Sequence, residues 1–215
     1  MFKSLHIVVV AVSLLLSNVF VAGYVYAQTD APAVEPAETV SAADLGVENA
    51  GTLPTSPFYF FKEWRRSVRS FFTLNPIAKV ELELKVSNEK AAEAKIVGET
   101  ASNNELAVKK AIANYKISQE RLKLRLESLK ETSATPRVDR LLEELADKTI
   151  KHDKLFDEIG ERFEDKADIK ELVNEAKTRI GEAAVTAAGK DSAVKFAAKL
   201  EKALVESKGG DLKHL

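Results

Sequence analysis

Few side chains in this chain of 215 residues are able to do covalent or metal chemistry: there is no cysteine, and there are three histidines, His6, His152 and His214. Without a thiol there is no lipidated N-terminal cysteine, no disulfide and no thiolate nucleophile or metal ligand. A hydroxyl nucleophile needs a neighbouring base, most often histidine at neutral pH. His6 falls in an apolar leader and His214 is the penultimate residue, which leaves His152 as the one candidate. It lies on an apolar stripe between Leu145 and Phe156, the setting of a seam histidine bonded to a neighbouring helix rather than of a base. A di-iron bundle needs Glu-x-x-His, and the residue three before His152 is Thr149. Zinc needs more histidine or cysteine than a single His supplies. Glu143, Glu144 and Asp147 read as solvated helix carboxylates. Gly189-Lys190-Asp191-Ser192 lacks both the first glycine of a phosphate loop, since position 184 is Ala, and a preceding strand. No cleft for paired-carboxylate glycoside chemistry is suggested. The expectation is a protein that is not an enzyme, with no catalytic residue, no metal site and no cofactor.

One stretch carries a different kind of chemistry. Leu53 to Ile77 holds the only tryptophan, a dense cluster of phenylalanines and a run of basic residues. Ser56-Pro57 is an N-cap and first-turn pair, and Asn75-Pro76 repeats it, so a short helix should start at the first and hinge onto a second helix at the next. At 100° per residue Phe60, Phe61, Trp64, Val68, Phe71 and Phe72 share one arc, and Lys62, Arg65, Arg66 and Arg69 crowd the neighbouring arc. These ten residues are the candidate interaction surface. An apolar face at helical spacing is expected to dock across a bundle, each side chain contributing roughly 1.5 to 3 kcal/mol when buried. The alternatives are a helix lying on a membrane surface, with Trp and Phe on one side and basic residues beside them, or a groove for unfolded clients. An exposed patch larger than a few hundred Å² would count against the docked reading.

The residues Leu53-Pro54, Ser56-Pro57, Tyr59 and Lys62, then Phe71-Phe72-Thr73 and Asn75-Pro76, and the run Lys79 to Leu84 through Glu89, Ala92 and Glu93 together resemble a family of exported bacterial proteins known only as a domain of unknown function. The likeness covers about residues 50 to 150. It implies export, and with no activity assigned to the family it carries over no functional residue. Asn75 stands where relatives have an acidic residue, and either caps a helix.

Around that stretch the chain divides into three. Lys3, the apolar run Leu5 to Val21 and the ending Val25-Tyr26-Ala27 read as a secretory signal peptide cut after Ala27; uncleaved, Leu5 to Ala27 would span a hydrocarbon core of about 30 Å as an anchor. Residues 28–50 carry Asp30, Glu35, Glu38, Asp44 and Glu48, no basic residue and little large apolar surface, which predicts a disordered acidic linker. Removing Lys3 and those five acids leaves 31 basic and 28 acidic residues from Gly51 onward, too mild an excess for a nucleic-acid partner.

Residues 51–215 should form an all-α domain: the short aromatic helix followed by long antiparallel helices in a bundle. Ile77, Val80, Leu84, Ser87, Ala91 and Ala94 alternate by three and four up to a break near Gly98, with a heptad-like spacing that permits a coiled-coil dimer. Asn103 or Asn104 caps the next helix, whose stripe Val108, Ala111, Tyr115, Leu122, Leu126 and Leu129 is widened by Leu106, Ile117 and Leu124. Thr135-Pro136 opens another, with Val138, Leu141, Leu145, Thr149, His152, Phe156, Ile159 and Phe163. Two weaker helices start near Asp168 and Asp191. Acid-first pairs four apart, such as Glu81 and Lys85, Asp147 and Lys151, or Glu175 and Arg179, should coat the exposed faces. The expected role is that of a non-catalytic exported or envelope-associated structural or interaction protein, its partner a protein or a second copy. The alternative is a periplasmic-type chaperone or a peripheral membrane-binding protein using helix 57–72.

Overall fold

A computed structural model describes residues 39–129 and 135–188, together with 198, 201 and 202. The expected leader, the first part of the expected linker, most of the loop before Thr135 and nearly all of the sixth expected helix lie outside the described residues. Five α-helices and no strand occur among the described residues. They are α1, Tyr59–Phe72; α2, Pro76–Thr100; α3, Glu105–Ser128; α4, Pro136–Arg162; and α5, Ala167–Ala188. No helix among these residues is long and apolar enough to cross a membrane.

The helix starts follow from local capping. Asn75 Oδ1 accepts from Ala78 N at 3.0 Å, Asn104 Oδ1 from Ala107 N at 3.1 Å and Thr135 Oγ1 from Val138 N at 3.4 Å, each satisfying an orphan amide. Ser56 behaves differently: its Oγ accepts from Phe58 N at 3.2 Å within a turn, and α1 begins only at Tyr59, without a side-chain cap. The break expected near Gly98 comes just after it, in the polar stretch 101–104: α2 runs through Gly98 and ends at Thr100. A small residue suits position 98, since a Cβ there would stand 3.7 Å from the Phe163 ring.

Around the bundle the order is α2, α3, α5, α4, so α3 and α4 face each other across the diagonal. Consecutive helices run antiparallel, while α3 and α5 are parallel neighbours in a fixed register. Lys109 pairs with Asp168 at 2.8 Å, Lys116 with Glu175, and Lys123 with Glu182 at 3.1 Å, a ladder that repeats every seven residues on both helices. Exposed rungs of this kind are worth about 0 to 1 kcal/mol each, so the ladder sets register more than stability. Contacts between helices also redirect the expected pairing along single helices. Asp147 and Lys151 do pair at 3.0 Å, but Glu81 meets Arg137 and Glu175 meets Lys116 on neighbouring helices.

The core has two apolar clusters, one built on Val97, Val108, Ile112, Phe156 and Ile169, the other on Val80, Leu84, Leu126, Leu141 and Leu145. Between them lies a buried polar layer of Ser87, Asn88, Ser118, Gln119, Thr149 and His152. Tyr115 Oη lies 3.0 Å from His152 Nδ1 across the diagonal, and Gln119 Nε2 donates to Ser87 Oγ at 2.7 Å and to Tyr115 Oη at 2.6 Å. His152 is thus a core residue bonded to α3, the helix that faces it across the diagonal, rather than to an adjacent one as expected. Leu106, Ile117 and Leu124, expected to widen the buried stripe of α3, are exposed instead.

The domain also starts earlier than composition suggested. Residues 39–50 are packed rather than free, with a short 3-10 turn at Ala43–Leu45 and with Val40, Leu45, Val47 and Ala50 buried in the first apolar cluster. Val40 N donates to Glu158 Oε1 at 2.8 Å, and Lys148 Nζ donates to the Asp44 carbonyl at 2.7 Å. A shortage of large apolar residues argues for disorder only while a segment stands alone. Four small apolar seats on a preformed bundle are enough to order this one.

Candidate interaction surface

Helix α1 folds back along α2 as far as Glu93 after the tight turn at 73–75, and it docks by its polar face. Lys62 Nζ reaches Glu93 Oε1 at 2.7 Å, Arg66 reaches Glu63 at 2.6 Å, Glu93 at 3.2 Å and also Glu89, and Tyr59 Oη donates to Glu93 Oε2 at 2.6 Å. Lys90 of α2 pairs with Glu63 and Glu93 and donates to Tyr59 Oη. Asn114 of α3 adds a bond of 3.4 Å to the same hydroxyl. Three cations and three carboxylates close on one another around Tyr59, the only buried residue of α1. Glu93 is 0% exposed and Lys90 3%, so this is an interior network.

The electrostatics follow from that burial. Burial, then Glu93, push the Tyr59 phenol well above its ordinary range, which keeps it a neutral donor. Burial holds the Lys90 ammonium below its usual value against the pull of Glu93 and Glu63. Burial works to raise the Glu63 carboxyl, but Lys90 and Arg66 outweigh it and hold it low.

The opposite face of α1 is left outside. Phe58, Phe60, Phe61, Trp64, Phe71, Phe72 and Leu74 each leave more than half of their surface exposed, and Val68 leaves 38%. The rings touch one another, Phe60 against Phe61 at 4.1 Å between centroids and Phe71 edge-on to Phe72 at 5.3 Å. Together they expose apolar surface on the order of several hundred Å², more than scattered surface residues would. The expectation that this face docks is therefore overturned. Polar and apolar arcs lie on opposite sides of α1, and ion pairs to a buried carboxylate took the inward side.

Of the ten candidate residues, Phe60, Phe61, Trp64, Arg65, Val68, Arg69, Phe71 and Phe72 lie on the outer surface. Lys62 and Arg66 do not, because both turn inward to Glu93. The residues missed were Tyr59, Glu63, Glu89, Lys90 and Glu93. A signal for them existed: Lys62 and Arg66 are four apart, as are Glu89 and Glu93, and one pair lies on each side of the Asn75-Pro76 turn, so an antiparallel fold-back brings them together.

A groove of about 530 Å³ runs beside the C-terminal half of α1, lined by Ser67, Ser70 and Phe71 of α1, Lys79 of α2, and Arg121 and Arg125 of α3. Among the described residues no group of three or more acidic or histidine side chains is placed to hold a metal ion. A family model described as a domain of unknown function (DUF5667) matches residues 51–166. No curated protein and no solved structure matches the chain.

Proposed function

The chain belongs to the DUF5667 family, a domain of unknown function, and we propose that it serves as a non-catalytic interaction module, exported to the cell envelope, that rests the outer face of α1 on a membrane surface. The observation that carries this reading is the inverted docking of α1, whose ion-paired inner face frees its aromatic face. An interfacial helix has this composition, with Trp and Phe entering the headgroup boundary and basic residues beside them. Arg65 and Arg69 flank the aromatic arc, and their guanidinium groups have no partner among the described residues. Such free cations suit an anionic bilayer. A second copy of the same face would oppose like charge to like charge across a two-fold axis. Export is the expectation of Lys3 and the apolar run that follows it, and a leader would deliver the module to the bilayer.

Trp64, the only tryptophan, reports directly on this face. Its emission should be that of a solvated indole in buffer and should move to the blue, with protection from quencher, when anionic vesicles are added. Phe71→Ser should weaken vesicle partition by about tenfold to a hundredfold, the equivalent of one large apolar side chain. Emission that ignores vesicles but shifts with an unfolded polypeptide would replace this reading with the client-binding one. No response to either would remove both.

A further inference from the structure

Lys79, Arg121 and Arg125 converge on the groove beside α1, and none of their charged groups has an ion pair or hydrogen bond among the described residues. Arg66 also lines the groove, but its guanidinium is committed to Glu63, Glu89 and Glu93. The one carboxylate in the wall is Glu83, buried and touched by Ser70 Oγ at 3.5 Å. Three free cations against one carboxylate leave the groove positive by two. That contrasts with the seams between helices, where Lys95, Lys109, Lys123 and Lys177 each meet an acid on the neighbouring helix.

Phe71 joins this charge to the aromatic face. It forms part of the groove wall and is 78% exposed, so a ligand with an anionic group next to an apolar chain would use both surfaces at once. Guanidinium forks match the paired oxygens of a phosphodiester, and Arg121 and Arg125 supply two of them in one wall of the groove. We propose that this groove is a headgroup site that takes the phosphodiester of an anionic phospholipid while its acyl chains lie along the aromatic face. The proposal rests on the membrane reading and adds to it a choice of lipid.

The test compares the full chain on vesicles of phosphatidylcholine alone and on vesicles containing phosphatidylglycerol, with binding measured by co-sedimentation. Arg121→Gln with Arg125→Gln is set beside Arg65→Gln with Arg69→Gln, which removes the same charge from the edge of the aromatic face but not from the groove. A basic side chain at an anionic surface is worth about fivefold, so the wild type should prefer the anionic vesicles by tenfold or more. The groove pair should erase about thirtyfold of binding to them, leave binding to the neutral vesicles unchanged, and cost more than the edge pair. Equal losses from the two pairs would mean diffuse attraction and would overturn the headgroup site. Equal binding of the wild type to both vesicle types would overturn it too, while leaving the aromatic face as the membrane contact. Binding to neither would overturn the membrane reading itself. Should the double variant lose its helical signal, the exposed Arg121 replaced alone gives the same comparison at about a fivefold loss.

Discussion

Replacing Glu93 with glutamine is expected to release α1 while the four-helix bundle stays folded. The Glu93 carboxylate is fully buried and collects Tyr59, Lys62, Arg66 and Lys90 at 2.6, 2.7, 3.2 and 3.5 Å. An amide has a single acceptor oxygen, and its NH2 would point at ammonium or guanidinium groups. Removing one member of a buried ionic cluster costs about 3 to 5 kcal/mol because the remaining charges stay desolvated. The chain need not pay all of this. No residue of α1 belongs to either apolar cluster, so undocking α1 rehydrates the cations at little loss of core.

The expected signature is thus local. Amides of residues 59–72 should exchange at least a hundredfold faster in Glu93→Gln, while protection in α2 to α5 and the thermal midpoint change little. Protection of α1 that stays at the wild-type level would show that the network does not hold the helix. Loss of protection everywhere would show that α1 is integral to the bundle. Acid should mimic the substitution. Glu63 has a folded pKa below its ordinary 4.5, so its contribution is complete above that value and disappears as pH falls through the lower folded one.

The residues explain why some of this architecture was legible and some was not. Asn75, Asn104 and Thr135 announce helix starts because a cap is a bond within four residues, and such local chemistry survives any tertiary context. The stripes of α3 and α4 were readable for a similar reason, since Val108 to Leu126 and Val138 to Ile159 repeat one period over several turns. The orientation of α1 was not. Its periodicity is strong, but periodicity fixes only that two faces differ, not which one turns inward. The rule that the apolar face docks fails when the receiving surface offers a buried carboxylate and a buried lysine, Glu93 and Lys90. Residues 39–50 escaped for the same reason, because their seats are made by helices far along the chain.

Acid should also weaken the bundle itself, and in a window that belongs to His152. Burial, then the nearby Lys148, hold its imidazole at about 3, against an ordinary value of 6.5. The structure shows why it stays neutral. Nδ1 faces Tyr115 Oη at 3.0 Å and Gln119 Nε2 at 3.3 Å, while Nε2 has no partner among the described residues and no carboxylate bonds the ring. With the folded pKa below the unfolded one, the unfolded chain takes up the proton first. The contribution of neutral His152 is then complete above pH 6.5 and falls as pH drops, by about 1.4 kcal/mol per unit until the folded value is reached. Between pH 6.5 and 4.5 the loss is about 2.3 kcal/mol. Glu63 and Glu81, both held low, weaken the fold only at more acid pH. Asp153, raised by burial against the opposing charge of Lys177, acts with the opposite sign and cannot imitate the effect. Urea unfolding of the wild type should therefore lose about 2 to 3 kcal/mol from pH 7 to pH 4.5, whereas His152→Gln, which keeps an acceptor for Tyr115 but has no proton to gain, should change by less than about 0.5 kcal/mol over the same interval. Parallel losses in the two proteins would mean that His152 is protonated within the folded bundle and that the polar layer opens to water.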